Sequence, residues 1–217
     1  LRTPLVIVRG EAEVALQREG RTEAEYRESL DIIRKEGVRL SQIVDDLFFL
    51  ARADAKQYML NQTTFYLDEL ADECARAVRT LVSKKQVQFE MVSDEDLVFD
   101  GDEDLIRRLI IILLDNAIKY SDTNGTIDFK VRKDSSTYRI QVSNTGQPIR
   151  EDEQEMIFDR FYRGDKVRSF RSDEELGTGA GLGLSIGAWI AEAHDGRLEL
   201  ASSSQESTIF IVTLPRK

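Results

Sequence analysis

Two segments of the chain carry residue types that could bind a polyphosphate. Asn116, Lys119 and Tyr120 lie three and four residues apart, so one helix face offers an amide, an ammonium group and an aromatic ring. The segment 177–183 has glycine at every second position. These glycines lack a Cβ, so consecutive N–H groups can converge on anionic oxygens, and the dipole of the following helix adds to the attraction. Together the two segments predict a nucleotide pocket.

Composition and motifs exclude several other functions. The glycines are not followed by Gly-Lys-Ser or Gly-Lys-Thr, so they do not form a Walker loop. No early strand and turn carry the Gly-x-Gly-x-x-Gly of a dinucleotide fold. A net charge of −10 argues against a nucleic-acid partner, and a local basic run such as Lys84-Lys85 is too short to change this.

The cysteine content and the apolar runs indicate the compartment. The single cysteine, Cys74, excludes a disulfide framework and a cysteine-based zinc site, and we expect it to be a reduced, half-buried helix residue. The longest apolar run, 109–114, is far short of the roughly 20 residues that span a bilayer, and no signal peptide is recognisable. We therefore expect a cytoplasmic location.

Residues 1–60 have the apolar spacing of two helices. Thr22 is expected to cap the second helix, with Glu25 completing a capping box. The apolar seams of the two helices are Leu1, Leu5, Val8, Ala12 and Ala15, and then Leu30, Ile33, Gly37, Leu40, Val44, Leu47 and Ala51. A lone antiparallel hairpin leaves both seams partly exposed, so we predict a homodimer in which two hairpins form a four-helix bundle. The alternative is a hairpin packed on its own C-terminal domain.

Residues 61–217 have a mixed α/β pattern. The polar stretch Asn61–Thr64 predicts a domain junction. Apolar periodicity predicts helices over 70–82, 103–120 and 186–193, and strands over 87–92, 97–99, 126–132, 137–142, 197–201 and 208–214. Helices segregated from mostly antiparallel strands indicate an α+β chain: a helical hairpin over 1–60, then a two-layer α/β sandwich over 61–217.

Five motifs in order resemble the dimerisation and ATP-binding core of a bacterial sensor histidine kinase. They match the second part of the H box at Leu1–Leu5, the N box at Asp115–Ser121, the first glycine box at Ser143–Ile149, the F box at Ile157–Arg163 and the second glycine box at Gly177–Gly183. The resemblance covers nearly the whole chain. It implies a gyrase-type (GHKL) ATPase fold that binds ATP and Mg²⁺ under a mobile lid over about 150–179. It also implies phosphoryl transfer to a histidine and then to an aspartate in the receiver domain of a response regulator.

The resemblance also implies roles for individual pocket residues. Asn116 would coordinate Mg²⁺, Lys119 would contact phosphate, and Tyr120 would pack against the adenine, unless Tyr120 is simply a core residue. Asn144 stands where the family has an adenine-reading aspartate, and its carbonyl could still accept a hydrogen bond from the adenine. Ile112 stands where the family has a second asparagine, which leaves Asn116 as the one side-chain metal ligand. The remaining nucleotide contacts would be Gly146, Ile149, Gly177, Thr178, Gly179, Gly181, Leu182 and Gly183.

Two further residues acquire catalytic roles by resemblance. Thr3 corresponds to a threonine that can orient a water for dephosphorylating the response regulator. Arg163 or Arg160 could reach the γ-phosphate or the acceptor, the alternative for Arg163 being a solvated or salt-bridged arginine. The aromatic residues Phe158, Phe161 and Tyr162 would pin the start of the lid.

The acceptor histidine of the family lies two positions before the leucine that corresponds to Leu1. We therefore expect residues 1–217 not to phosphorylate themselves at that site, and we expect membrane attachment only through upstream segments of an inner-membrane protein. His194 is the only histidine of the sequence, and its position predicts a structural role.

Two other functions stay open. One is a GHKL ATPase that hydrolyses or senses nucleotide, although gyrase and chaperone relatives lack a heptad hairpin ahead of the fold. The other is a catalytically impaired scaffold that pairs helices and binds a regulator. Ile112 and Asn144 favour the scaffold, whereas the complete glycine run and the Asn116, Lys119 and Tyr120 trio argue for a kinase.

Overall fold

The computed structural model describes residues 2–17, 20–164 and 180–216. The chain divides into two compact units. Residues up to Tyr58 form one unit, and nearly all described residues from Met59 onward form the other. No helix among the described residues is both long enough and apolar enough to cross a membrane.

The first unit is a hairpin of two helices, α1 (Arg2–Gln17) and α2 (Glu23–Asp54). The predicted capping box is confirmed: Thr22 N donates to Glu25 Oε2 at 2.7 Å, and Glu25 N donates to Thr22 Oγ1 at 3.3 Å. Ser29 Oγ donates to Glu11 Oε2 at 2.9 Å, which ties the two helices together near the turn. The cap and this bond fix where α2 begins and how it pairs with α1.

The predicted seam of α2 is partly exposed, as expected for a lone hairpin. Ile43, Leu50 and Ala53 are buried, whereas Leu30 and Val44 of the predicted seam are 62% and 40% exposed. These buried residues lie in the second half of α2, beyond the part that α1 can cover, since α1 begins at Arg2 and Glu11 already lies opposite Ser29. Leu30, Val44 and Phe48 share one face, and they form an exposed apolar row on α2.

The second unit is a five-stranded sheet with a layer of helices and a separate two-stranded ribbon. Its elements in chain order are β1 (Gln62–Tyr66), α3 (Leu67–Lys85), β2 (Gln88–Ser93), β3 (Val98–Asp102), α4 (Glu103–Tyr120), β4 (Thr126–Lys133), β5 (Thr137–Asn144), α5 (Gly183–Ala193), β6 (Arg197–Ser203) and β7 (Thr208–Pro215). The sheet has the order β2-β4-β5-β7-β6, in which only the β2-β4 pair is parallel. The predicted α+β class and two-layer sandwich are confirmed.

The polar stretch Asn61–Thr64, around which we expect the domain junction, contains the start of a strand. Gln62–Tyr66 forms β1, which pairs antiparallel with β3, and Phe65 faces the core. Thr63 and Thr64 are polar but β-branched, so they suit an exposed strand face as well as a loop.

A buried polar cluster joins the start of this unit to its end. Asp102 Oδ2 accepts from Asn61 N at 2.9 Å, while its backbone N–H donates to His194 Nε2 at 3.0 Å. His194 Nδ1 lies 2.8 Å from Ile190 O and therefore carries the proton in the neutral ring. The predicted structural role of His194 is confirmed, because backbone groups use both ring nitrogens.

The reactivity of the Cys74 thiol can be used to test how well the core is buried. The residue is 1% exposed, so the predicted half-buried position is wrong, and burial raises the pKa of its thiol to about 11. Because the thiolate is the reactive form, iodoacetamide at pH 8 should label Cys74 only after unfolding in guanidinium. The folded state favours the protonated thiol, so this group should lower stability only as the pH rises above about 9. Stoichiometric labelling of the folded chain, followed by mass spectrometry, would contradict the burial.

Candidate nucleotide-binding site

Helix α4 turns the three predicted side chains of the first segment away from the core. Asp102 caps the helix, its Oδ1 accepting from Leu105 N at 3.1 Å. The opposite face is buried along the whole helix, at Leu105, Ile106, Leu109, Ile110, Leu113, Leu114, Ala117 and Ile118. This burial fixes the rotation of α4, so that Asn116 and Lys119 are half-buried and Tyr120 is 55% exposed. The alternative of a core role for Tyr120 is therefore wrong.

Charged groups surround the end of α4. Lys119 Nζ lies 4.9 Å from the centre of the Tyr120 ring, a cation–π contact that places the ammonium group beside the aromatic face. Partial burial raises the pKa of the neighbouring Asp115 carboxyl, although the residue is exposed overall.

The first glycine box lies against the end of α4. Ser121 pairs with Gly146 in an isolated antiparallel bridge, and a Cβ on Gly146 would lie 2.2 Å from Tyr120 O. Such a distance is a severe clash, so only glycine fits at 146 without a backbone shift. The structure thus brings the predicted residues Tyr120 and Gly146 together.

Asn144 ends β5 beside this glycine and is 5% exposed. Its Nδ2 donates to Thr145 O at 3.2 Å, and no described residue donates to its Oδ1. The Asn144 amide oxygen is therefore available to a ligand donor. Ile149 N donates to Ser203 Oγ at 2.8 Å, so only the Ile149 side chain could contact a base.

The second glycine box is described in part. Gly177, Thr178 and Gly179 lie outside the described residues. Gly181 has φ +74, and a Cβ there would lie 2.5 Å from Tyr162 O. Leu182 is buried and Gly183 begins α5, so in the described part of this box the backbone, not the side chains, is open to a ligand.

The F-box-like segment contacts the second glycine box. Phe161, itself at φ +65, donates its N–H to Gly181 O at 2.8 Å. The Phe158 ring packs edge-on against Phe210, with centroids 6.3 Å apart, which confirms that Phe158 pins this segment to the sheet. Arg163 is exposed and has no ion pair with a described residue, so the salt-bridged alternative finds no support. Thr3 is exposed in the first turn of α1, in the other unit.

The residues present fit a magnesium ion held by few protein ligands. A Cβ built on Gly183 would lie 3.4 Å from Ile112 Cγ2, so Ile112 packs near the start of α5 and offers no ligand. Among the described residues no three acidic, histidine or cysteine side chains form a metal cluster. Asn116 supplies a hard oxygen, and Mg²⁺ is commonly completed by phosphate oxygens and waters.

Sequence reasoning missed Lys85. The last residue of α3, it donates through Nζ to two main-chain carbonyls at the end of α4, those of Ile118 and Lys119. A lysine pair at a helix end resembles solvated charge, and no signal in the sequence pairs Lys85 with a helix so much further along the chain.

Comparison with known proteins supports both units. Residues 101–217 match the family described as "Histidine kinase-, DNA gyrase B-, and HSP90-like ATPase". Residues 1–56 match the "His Kinase A (phospho-acceptor) domain". The sensor protein CzcS of Cupriavidus metallidurans is 36% identical over 99% of this chain and 44% of its own length. The sensor histidine kinase CusS of Escherichia coli K12 is 32% identical over 99% of this chain and 43% of its own length. The chain thus spans less than half the length of these relatives.

Solved structures share the fold. The Acinetobacter baumannii histidine kinase AdeS aligns at a TM-score of 0.77 with 21% identity, over 99% of this chain and 95% of that chain. The histidine kinase ThkA, in complex with the response regulator protein TrrA, aligns at 0.77 with 26% identity, over all of this chain and 58% of that chain. With both units matched in order, the chain belongs to the sensor histidine kinases of two-component systems.

Proposed function

We propose that the chain binds Mg-ATP and transfers the γ-phosphoryl group to a histidine of a phospho-acceptor hairpin, from which an aspartate of a response regulator takes it. One observation carries this proposal: the bridge between Ser121 and Gly146 brings the backbone of Tyr120, whose ring is exposed, close to the Asn144 amide. An aromatic face and a hydrogen-bond acceptor suit an adenine ring.

The same end of α4 supplies groups for the phosphates. Lys119 brings a positive charge beside Tyr120, and the N-terminus of α5 follows Gly181 with open backbone. We assign further phosphate contacts to Gly177, Thr178 and Gly179. Mg²⁺, when bound, would neutralise phosphate charge, with Asn116 as the side chain that holds it.

The reaction would depend on position and electrostatics. In the first step an imidazole nitrogen of the acceptor forms a bond to the γ-phosphorus, and the bond from this phosphorus to the β–γ bridging oxygen breaks, releasing ADP. In the second step an aspartate oxygen takes the phosphoryl group and the histidine is freed. Lys119 and the backbone N–H groups stabilise the charge of the transferred group, and Arg163 has no described partner that would hold it away from this role.

The acceptor is not a histidine of residues 1–217. His194 is 5% exposed and both of its nitrogens bond to backbone atoms, so it has no nitrogen free for attack. We therefore propose that residues 1–217 alone do not autophosphorylate.

The hairpin supplies the partner surfaces. The exposed apolar row Leu30, Val44 and Phe48 would be covered by a second copy in a four-helix bundle. The relative ThkA has been solved with a response regulator, and we propose that the α1 surface around exposed Thr3 docks a receiver domain here. At that surface Thr3 could also orient water in a phosphatase reaction.

A scaffold that only senses nucleotide is the second candidate. The contact of Ile112 with the start of α5 favours it, because the second metal ligand of the family is replaced by apolar packing. Both the kinase and the scaffold would bind ATP, but only the kinase would transfer the phosphoryl group.

Phosphoryl transfer is tested by adding His-Glu ahead of Leu1 and incubating this extended chain with Mg²⁺ and γ-labelled ATP. We expect an acid-labile, alkali-stable label, because phosphohistidine has this behaviour. The matched controls are the unextended chain and an extended chain in which the added histidine is alanine, and neither should be labelled. Labelling of the unextended chain would contradict the absence of an acceptor. An extended chain that binds Mg-ATP but takes no label would favour the scaffold.

A further inference from the structure

Lys85 links the end of α3 to the end of α4. Its Nζ donates to Lys119 O at 2.7 Å and also to Ile118 O, and the residue is half-buried. Gln86, which ends α3 in the left-handed conformation at φ 58, turns the chain directly after Lys85. The neighbours Val82 and Val87 are 6% and 7% exposed, so the stem of Lys85 starts from a fixed backbone.

The contact satisfies backbone groups that the helix itself leaves unpaired. The last four carbonyls of a helix have no partner within it, and they carry the negative end of its dipole. In α4, Ala117 O accepts from Ser121 N at 2.9 Å, and Tyr120 O lies against Gly146. The two carbonyls between them are those that Lys85 binds. An ammonium group there stabilises the last turn through both charge and hydrogen bonds.

The last turn of α4 is also the part of the helix that faces the nucleotide. The backbone carbonyl of Lys119 accepts the hydrogen bond from Lys85, and the side chain of Lys119 lies over the Tyr120 ring. Asn116 lies one turn earlier, where the buried residues Leu113 and Ala117 hold the helix. Loss of the Lys85 contact should therefore displace Lys119 and Tyr120 more than Asn116.

We propose that Lys85 is a positioning residue of the ATP site: it does not contact the nucleotide, but it sets the last turn of α4 and so the placement of Lys119 and Tyr120. This inference rests on the proposed function. Lys85, which is distant in sequence, would thus align the residues that contact the phosphates and the adenine.

The test compares Lys85→Met, which keeps most of the stem and removes the charge, with Lys85→Arg and the neighbouring control Lys84→Met. Calorimetric titration at low temperature, where every variant is folded, measures the affinity for Mg-ATP and for ADP without metal. We expect Lys85→Met to weaken both ligands by about tenfold, Lys85→Arg to recover most of the loss, and Lys84→Met to stay within about twofold. Equal losses with and without metal are expected because Asn116 is not displaced.

A double-mutant cycle with Tyr120→Ala shows whether Lys85 acts through the last turn. In the Tyr120→Ala background, Lys85→Met should cost clearly less affinity than in the wild type, because one of the groups it positions is gone. Urea unfolding of each variant separates a stability loss from an affinity loss. If Lys85→Met does not fold, the comparison of Lys85→Gln with Lys85→Arg takes its place.

Four results would overturn the proposal. Unchanged nucleotide affinity in a destabilised Lys85→Met chain would make the contact merely structural. If the losses of nucleotide affinity in the double-mutant cycle are fully additive, Lys85 does not act through Tyr120. A wild-type chain that does not bind ATP would overturn this inference and the proposed function together, whereas binding by the wild type and an equally tight variant would overturn this inference alone.

Discussion

Replacing Asn116 by alanine is expected to lower phosphoryl transfer by the extended chain on the order of 100-fold. The reason is that Ile112, one turn earlier, packs near α5 and cannot share the metal, so Asn116 is the one side-chain ligand in this account. The affinity for Mg-ATP should fall as well, while the affinity for ADP without metal should change by less than about threefold. Transfer is measured with labelled ATP, and binding is measured by calorimetry.

The matched control is Asp115→Ala, a change of the preceding exposed residue on the same helix. We expect it to leave Mg-ATP affinity within about twofold. An equal loss in both variants would contradict the assignment of Asn116 as the only side-chain ligand. Transfer that persists in Asn116→Ala would remove the assignment altogether.

Replacing Gly146 by alanine is expected to impair both folding and nucleotide binding. The new Cβ would lie 2.2 Å from Tyr120 O, a backbone atom that cannot move aside as the end of a flexible side chain can. The bridge between Ser121 and Gly146 would have to open, at a cost of about 2 to 4 kcal/mol in the free energy of unfolding. Urea denaturation measures this loss, and a titration of the variant that remains folded should show Mg-ATP affinity lowered by at least about tenfold.

Gly164→Ala provides the comparison for this change. It adds the same methyl group where the nearest atom is Oε2 of the flexible Glu153 side chain at 3.4 Å, so its unfolding free energy should change by less than about 1 kcal/mol. A Gly146→Ala chain that unfolds at the wild-type urea concentration and binds ATP normally would show that the close approach at Tyr120 is not required.

Long periodic elements could be predicted from sequence. The bounds of α4 agree with the predicted 103–120. Apolar residues recur there at helical spacing after the capping residue Asp102, and this pattern predicts a helix and no other element. The pocket residues Asn116, Lys119 and Tyr120 follow from the same helix. That these residues lie close to Gly146 could be inferred only from the resemblance of the ordered motifs to a known family. No local sequence pattern pairs the end of a helix with a loop that follows two further strands.

Features that depend on contacts between residues distant in the chain could not be predicted from the sequence. Lys85 and the end of α4 meet only in the folded chain, and so do Asp102 and His194. The heptad pattern of α2 likewise does not decide which apolar residues are buried, since Ile43 and Leu50 are buried whereas Leu30 and Val44 are exposed. In each case tertiary structure selects among options that local propensity leaves equal.

Calorimetric titration of the unmodified chain with ATP shows whether residues 1–217 form the proposed magnesium-dependent ATP site. We expect saturable binding at one site per chain in the presence of Mg²⁺, and clearly weaker binding when EDTA removes the metal, because Asn116 can act only through the ion. No binding by the folded chain, or binding that is equally tight in EDTA, would contradict it.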